Sequence, residues 1–257
     1  MTSFALKIVA IVTMTIDHIY SIIGQAGFMV LLPDALLSTT FYMSRLFHII
    51  GRMAFPIFAF MLAEGSAKTH SMPRYLGRLA LFAVISEPFF FYAFNRDPSM
   101  TSVLDSLARL NFTNVFFTLF LGALSIFICQ KLTEKYAEKG QIVSALCAIV
   151  LAFAGEYFKT DYGAMGVLLI VTLYFTREKR SMQCVEIVLW AFLLYPGWTS
   201  LSPGMNLDIL DALGASLACI PILLYNGKRG RPMKWTFYVY YPAHLLALTL
   251  IAGALGV

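Results

Sequence analysis

Apolar runs of about membrane-spanning length recur nine times along this chain, and they leave no stretch long enough for a soluble domain. They fall at about 4–24, 45–64, 75–94, 114–131, 141–158, 161–176, 182–199, 208–225 and 235–256. A backbone inside hydrocarbon must satisfy its own hydrogen bonds, so runs of this length specify helices. Composition points the same way. Of 257 residues 59% are hydrophobic and 13% charged, where a soluble domain carries about 25% charged residues. The expected fold is an all-α polytopic membrane protein of about nine (8–10) transmembrane helices, one domain over 1–257, in the cell (cytoplasmic or inner) membrane. The first run has no clear cleavage site and is read as a retained helix. The sixth is short, and is read as re-entrant or as following directly from the fifth.

The net charge of +5 is that of basic cytoplasmic loops, and no nucleic-acid partner is expected. With the N-terminus in the cytoplasm, Lys7, Lys68, Arg74, Arg78, Lys131, Lys135, Lys139, Arg177, Lys179, Arg180, Lys228, Arg229, Arg231 and Lys234 all fall inside. Only Arg96, Arg109 and Lys159 fall outside, while Arg45 and Arg52 lie within the second helix. That bias predicts N-in and C-out. Cys129, Cys147, Cys184 and Cys219 lie in apolar runs without C-x-x-C spacing, which supports neither a metal site nor a disulfide framework.

A charge placed at bilayer depth costs roughly 2.5–3.5 kcal/mol on insertion scales, so such residues demand a reason. Asp17 and His18 lie in the outer half of helix 1, roughly 20 Å from its cytoplasmic start at ~1.5 Å per residue. Arg45, His48 and Arg52, spaced three and four apart in "RLFHIIGRMAFP", share one face of helix 2 at the same level. Glu87 precedes Pro88 near mid-depth in helix 3, and His244 reaches mid-depth in helix 9 beside Pro242. Helices 1, 2, 3 and 9 are therefore expected to line a central polar cavity opening outward. The competing reading makes Asp17–Arg52 or Glu87–Arg52 a structural ion pair. Asn114 is a candidate N-cap, and "TDYGAMG" offers a glycine turn whose amides could face a ligand. "YNGKRGRPMKW" (225–235) reads as an orientation determinant that could also attract lipid head groups or phosphates.

"LKIVAIVTMTIDHI", "GRMAFPIFAFMLAEG", "RYLGRLALFAVISEPFF", "NVFFTLFLGAL", "DYGAMGVLL" and "FYVYYPAHLL" occur in the order found in TraX-family membrane proteins. The chain resembles that family from about Leu6 to Leu250. The family's type member acetylates the N-terminus of conjugative pilin. The resemblance therefore implies an acyl-CoA-dependent transmembrane acyltransferase, with acetyl-CoA as donor and no metal. A looser likeness is that Lys7 and His18, with ten residues between them, resemble the Arg/Lys-x10-His pattern of membrane acyltransferases that O-acetylate sugars.

The activity so implied is transfer of an acetyl or acyl group from cytoplasmic acyl-CoA to an outer amine or hydroxyl, on a pilin-like peptide or an envelope glycan. His18 is the expected general base, since neutral histidine suits that task. Asp17 points about 100° away around the helix and is expected to pair with Arg52 or position the acceptor. Glu87 and His244 complete the catalytic candidates. Arg52, His48, Arg45, Lys7, Arg78, Asn114, Tyr162 and Tyr241 are the candidates for binding donor or acceptor, with lipids around them. The alternatives are a proton-coupled transporter and a non-catalytic assembly factor for a surface appendage. Neither the acceptor nor the oligomeric state is readable from the sequence.

Overall fold

A computed structural model describes residues 1–24, 37–95, 104, 108, 112–195, 205–232 and 234–256. Among these the fold is all-helical, with no strand. In chain order the helices are α1 (Ser3–His18), which runs on into a π-helical turn (Ile19–Ile23), α2 (Leu37–Gly51), α3 (Ala54–Lys68), α4 (Met72–Asn95), α5 (Val115–Tyr157), α6 (Gly163–Phe175), α7 (Arg180–Leu194), α8 (Met205–Ser216), α9 (Cys219–Leu223) and α10 (Lys234–Ala254). Arg96, Arg109 and residues 196–199 of the seventh expected span lie outside the described residues, as does the side chain of Lys234.

Each of the nine apolar runs contains helix among the described residues. Six described stretches are long and apolar enough to cross a membrane: Ser3–Ile23, Arg45–Lys68, Met72–Phe94, Val115–Ala137, Lys139–Tyr157 and Trp235–Ala254. Gly163–Phe175 and Ile209–Leu223 are apolar but shorter. The 15 residues of α7 span about 22 Å at ~1.5 Å each, short of a ~30 Å hydrocarbon core. The outward faces are those of a membrane protein, with Val12, Leu46, Val84, Ile142, Val150, Phe153, Leu189 and Leu250 all exposed. This is a multi-pass membrane protein.

Local chemistry explains where the helices break. Pro56 has no amide to offer the carbonyl of Arg52 four residues earlier, and the second run parts into α2 and α3 at Arg52–Met53. The fourth and fifth runs join as α5 across Ala137, which adopts φ 49° and ψ −126°.

The chain forms two compact units, with the boundary falling inside α3, α4 and α7. The first comprises Met1–Phe58, Phe89–Arg96 and Ile187–Val257. Here α2 packs on α1 and α8, and α10 packs against the π-turn. Gly51 and Gly214 permit those approaches: a Cβ at Gly51 would collide with Asp17, and one at Gly214 with the carbonyl of Ile49. Ala191 of α7 and Ala212 and Ala215 of α8 form a small buried cluster with Phe192 and Tyr195 against it. The second unit comprises Ala59–Pro88 and Asp97–Glu186, and its centre is α5 packed on α6. Leu119, Ala123, Ile126, Ala148, Ala152, Val167, Ile170 and Leu173 are all buried there.

Candidate functional site

The first unit holds two polar clusters, to which the consecutive residues His18 and Asp17 of α1 contribute one each. In the first, His18 Nδ1 lies 2.7 Å from His244 Nε2, although the two residues are 226 positions apart. The rings are 10° from parallel with centroids 5.0 Å apart. Together with the short N···N separation, this fits rings meeting edge to edge, the donor aimed along the acceptor's in-plane lone pair. His244 Nδ1 lies 3.0 Å from the carbonyl of Tyr240, one turn earlier in α10. A carbonyl only accepts, so Nδ1 of His244 carries the proton and donates to it. With both rings neutral, His244 Nε2 is then the acceptor and His18 Nδ1 the donor, and His18 Nε2 is left with a lone pair. No described residue hydrogen-bonds that nitrogen.

Three neighbours fix the pair. Tyr240 lies parallel to the His244 ring at 4.9 Å between centroids, and its hydroxyl bonds Thr15 Oγ1 of α1 at 2.6 Å. Phe94 and Tyr241 stand edge-on to His18 at 5.7 and 6.2 Å. His18 and His244 are 9% and 7% exposed, so the pair is nearly enclosed. The backbone is irregular at each contributor, since α1 becomes π-helical after His18 and Pro242 interrupts the bonding of α10. Such π-turns are frequent at functional sites.

The second cluster is ionic. Arg52 Nη2 donates to both oxygens of Asp17, at 3.2 and 3.3 Å, and Nη1 to the Tyr195 hydroxyl at 3.3 Å. His48 Nδ1 lies 2.9 Å from Asp17 Oδ1, while its Nε2 faces Asp211 Oδ2 at 3.7 Å. Arg45 Nη2 stands 3.1 Å from Asp211 Oδ1. The expected Asp17–Arg52 pair therefore exists, inside a network of six residues. Neither Asp211 nor Tyr195 is among the residues singled out from sequence. Asp211 carries the same signal as Asp17, an acid within an apolar run.

Glu87 belongs to the second unit, where Thr113 and Asn114 hold it. Its Oε1 accepts from the Thr113 amide and hydroxyl, each at 2.9 Å. Its Oε2 accepts from the Asn114 amide at 3.2 Å and Nδ2 at 2.6 Å. Four donors fill the carboxylate's lone-pair sites. Asn114 in turn caps α5, its Oδ1 accepting from the Phe116 amide at 3.0 Å. The described contacts of Glu87 thus serve a helix start, with no histidine among them.

The remaining candidates divide by unit. Tyr162 is the N-cap residue of α6 in the second unit, without a side-chain cap bond, and several amides of the turn are engaged within the chain. Ala164 donates to Glu156 at 3.1 Å, Gly166 to the Tyr162 carbonyl at 2.8 Å and Tyr162 to Thr118 at 3.3 Å. The glycine turn is therefore capped from within the chain. Arg78, also in this unit, lies over the Tyr75 ring at 5.5 Å. Lys7, in the first unit, is half-buried, and no described carboxylate pairs with it. The basic loop runs alongside: Ser3 and Phe4 donate to the carbonyls of Lys228 and Arg229 at 2.8 and 3.1 Å, and the N-terminal ammonium donates to that of Leu224.

The model of the family described as TraX protein matches residues 3–252. The chain belongs to the TraX family. This TraX-family chain is also similar to a probable fimbrial assembly protein, FimC of serogroup H1, from Dichelobacter nodosus. The two are 26% identical over 252 residues, covering 96% of this chain and 94% of the relative. No solved structure matches this TraX-family chain. Among the described residues no group of three or more His, Cys, Asp or Glu could hold a metal ion.

Proposed function

We propose that this TraX-family protein is a transmembrane acyltransferase of the cell membrane, N-in and C-out. It takes an acetyl group from cytoplasmic acetyl-CoA to an amine or hydroxyl at the outer face, on a pilin-like peptide or an envelope glycan. The observation that carries the reading is the direction of the His18–His244 hydrogen bond. Because His244 is committed to the Tyr240 carbonyl, the pair presents one basic nitrogen, His18 Nε2.

In the proposed reaction the acceptor nitrogen or oxygen attacks the thioester carbonyl carbon while His18 Nε2 takes its proton. The tetrahedral intermediate then collapses, the C–S bond breaks, and the sulfur leaves as the thiol with the proton from His18. His244 stabilises the imidazolium formed in between by accepting from Nδ1. Proton transfer of this kind contributes typically about 10²–10⁴-fold. The His18–His244 pair by itself is not laid out as a through relay of the kind a proton-coupled transporter needs. A proton relay needs a carrier at each end, and the Tyr240 carbonyl cannot take a proton and pass it on.

A second reading, assembly factor without catalysis, is favoured by the name of the relative, a probable fimbrial assembly protein. The purified protein in liposomes, given radiolabelled acetyl-CoA with peptide and glycan acceptors, decides between them. Label on an acceptor supports transfer. Unlabelled acceptors with a co-purifying pilus or fimbrial subunit support assembly.

A further inference from the structure

Two stretches of the sequence carry cations and no acid. No Asp or Glu precedes Asp17 and none follows Asp211, while Lys7, Lys228, Arg229, Arg231 and Lys234 all lie there. The first unit brings these stretches together. Ser3 and Phe4 donate to the carbonyls of Lys228 and Arg229 at 2.8 and 3.1 Å, and the Asn226 amide donates to that of Met1 at 2.8 Å. The Lys228 amide is turned onto Asn226 Oδ1 at 3.1 Å. Residues 226–229 are thus tied by their backbone to the start of α1, and their side chains are left to carry charge.

Lys7 lies one turn beyond Phe4 in α1, near enough to Arg229 for the two charges to oppose each other. It is half-buried, whereas Lys228, Arg229 and Arg231 are exposed. Among the described residues no carboxylate pairs with any of the four. Gathering like charges and removing one of them from water is unfavourable, and an anion relieves both costs. Lys7 is four residues into α1, about 6 Å at ~1.5 Å per residue. A head-group layer is roughly 5–8 Å deep, so this ammonium sits at the level of lipid phosphates. Beside the cations the surface turns apolar. Ile8 of α1, Leu223 at the end of α9 and the following Leu224 are exposed, as is Trp235 in the first turn of α10.

We propose that Lys7, Lys228, Arg229 and Arg231 form a seat for the phosphate of an anionic phospholipid, whose acyl chains lie over Ile8, Leu223 and Leu224. Lys7 reaches the phosphate from the hydrocarbon side by extending its stem along α1. The loop cations meet it from the aqueous side, so one head group bridges α1 and the loop. A zwitterionic head group would bring its own ammonium among four like charges, which selects a lipid of net negative charge. A soluble phosphate would match the cations and leave the adjoining apolar surface uncovered. The seat does not depend on the transfer reaction.

The purified full-length protein in neutral detergent, titrated with phosphatidylglycerol or phosphatidylcholine and read by native mass spectrometry, tests this. Wild type should retain one phosphatidylglycerol in preference to phosphatidylcholine. Each cation near a lipid surface contributes a factor of roughly 5 in binding, so Lys7→Gln should weaken retention about 5-fold and Arg229→Gln/Arg231→Gln about 25-fold. Lys7→Arg keeps the charge and should keep the lipid. Lys135→Gln/Lys139→Gln removes two exposed cations from the second unit and should bind as wild type does. Equal retention of the two lipids would overturn the proposal, as would an equal loss in the Lys135/Lys139 pair, which means diffuse attraction to basic loops. Displacement of phosphatidylglycerol by coenzyme A would also overturn it, by giving these cations to a soluble phosphate.

Discussion

His18 and His244 meet through a 2.7 Å N···N contact, and the Tyr240 carbonyl at 3.0 Å from His244 Nδ1 sets the direction in which that bond runs. One predicted consequence is graded. His244→Ala removes the acceptor that holds the His18 tautomer and should lower acetyl transfer about 10²-fold, within the range for general acid–base groups. His244→Gln keeps an amide oxygen to receive the His18 proton and should lose less. Initial rates of label transfer at saturating acetyl-CoA check the order. Equal rates for the two variants would dissociate the tautomer from the activity.

Arg52 should matter for stability more than for chemistry. Arg52→Ala leaves the Asp17 carboxylate, with a side chain only 17% exposed, without its guanidinium. Breaking a buried pair on one side costs about 3–5 kcal/mol. Thermal unfolding in detergent should show a large loss for Arg52→Ala and a smaller one for the Asp17→Asn/Arg52→Ala double variant. A double variant no better than the single would mean that the uncompensated charge is not the cause.

Glu87→Gln tests whether this acid is a helix cap. The new amide nitrogen would face donors from Thr113 and Asn114, and one unsatisfied buried group costs about 1–3 kcal/mol. The expected outcome is lower stability, faster hydrogen exchange at the first amides of α5, and unchanged turnover per folded molecule. A collapse of turnover without loss of stability would return Glu87 to the reaction.

The positive-inside bias predicts the side on which the basic loop lies. A cysteine at Arg229, which is exposed, should react with a membrane-impermeant maleimide only from the cytoplasmic side. Labelling of intact cells from outside would invert the orientation and with it the route proposed for acetyl-CoA.

The helices were legible in the sequence because apolar runs in lipid leave the backbone no other way to bond itself. The number of crossings was less so, since α7 and α8 fall in apolar runs while their described stretches are shorter than a span. The break at Arg52–Met53 is written in Pro56, and a residue-by-residue search for missing amides finds it. At the site, Asp17, Arg45, His48 and Arg52, grouped by depth, share the ionic cluster, and His18, grouped with His244, lies at bonding distance from it. Depth is one coordinate, however, and the contacts within each unit needed the fold: Thr113 and Asn114 claim Glu87 in the second, while α8 brings Asp211 to His48 in the first. The π-turn after His18 has no signal in "IYSII" that sequence patterns expose.

The central claim is that His18 Nε2 removes a proton from the acceptor. Its most direct measurement compares acetyl transfer by wild type and His18→Ala, both purified, folded to the same melting midpoint and supplied with labelled acetyl-CoA and acceptor. Wild type should label the acceptor, and His18→Ala should do so roughly 10²–10⁴ times more slowly. Equal rates from the two would contradict the assigned base, and no labelling by either would contradict acyl transfer itself.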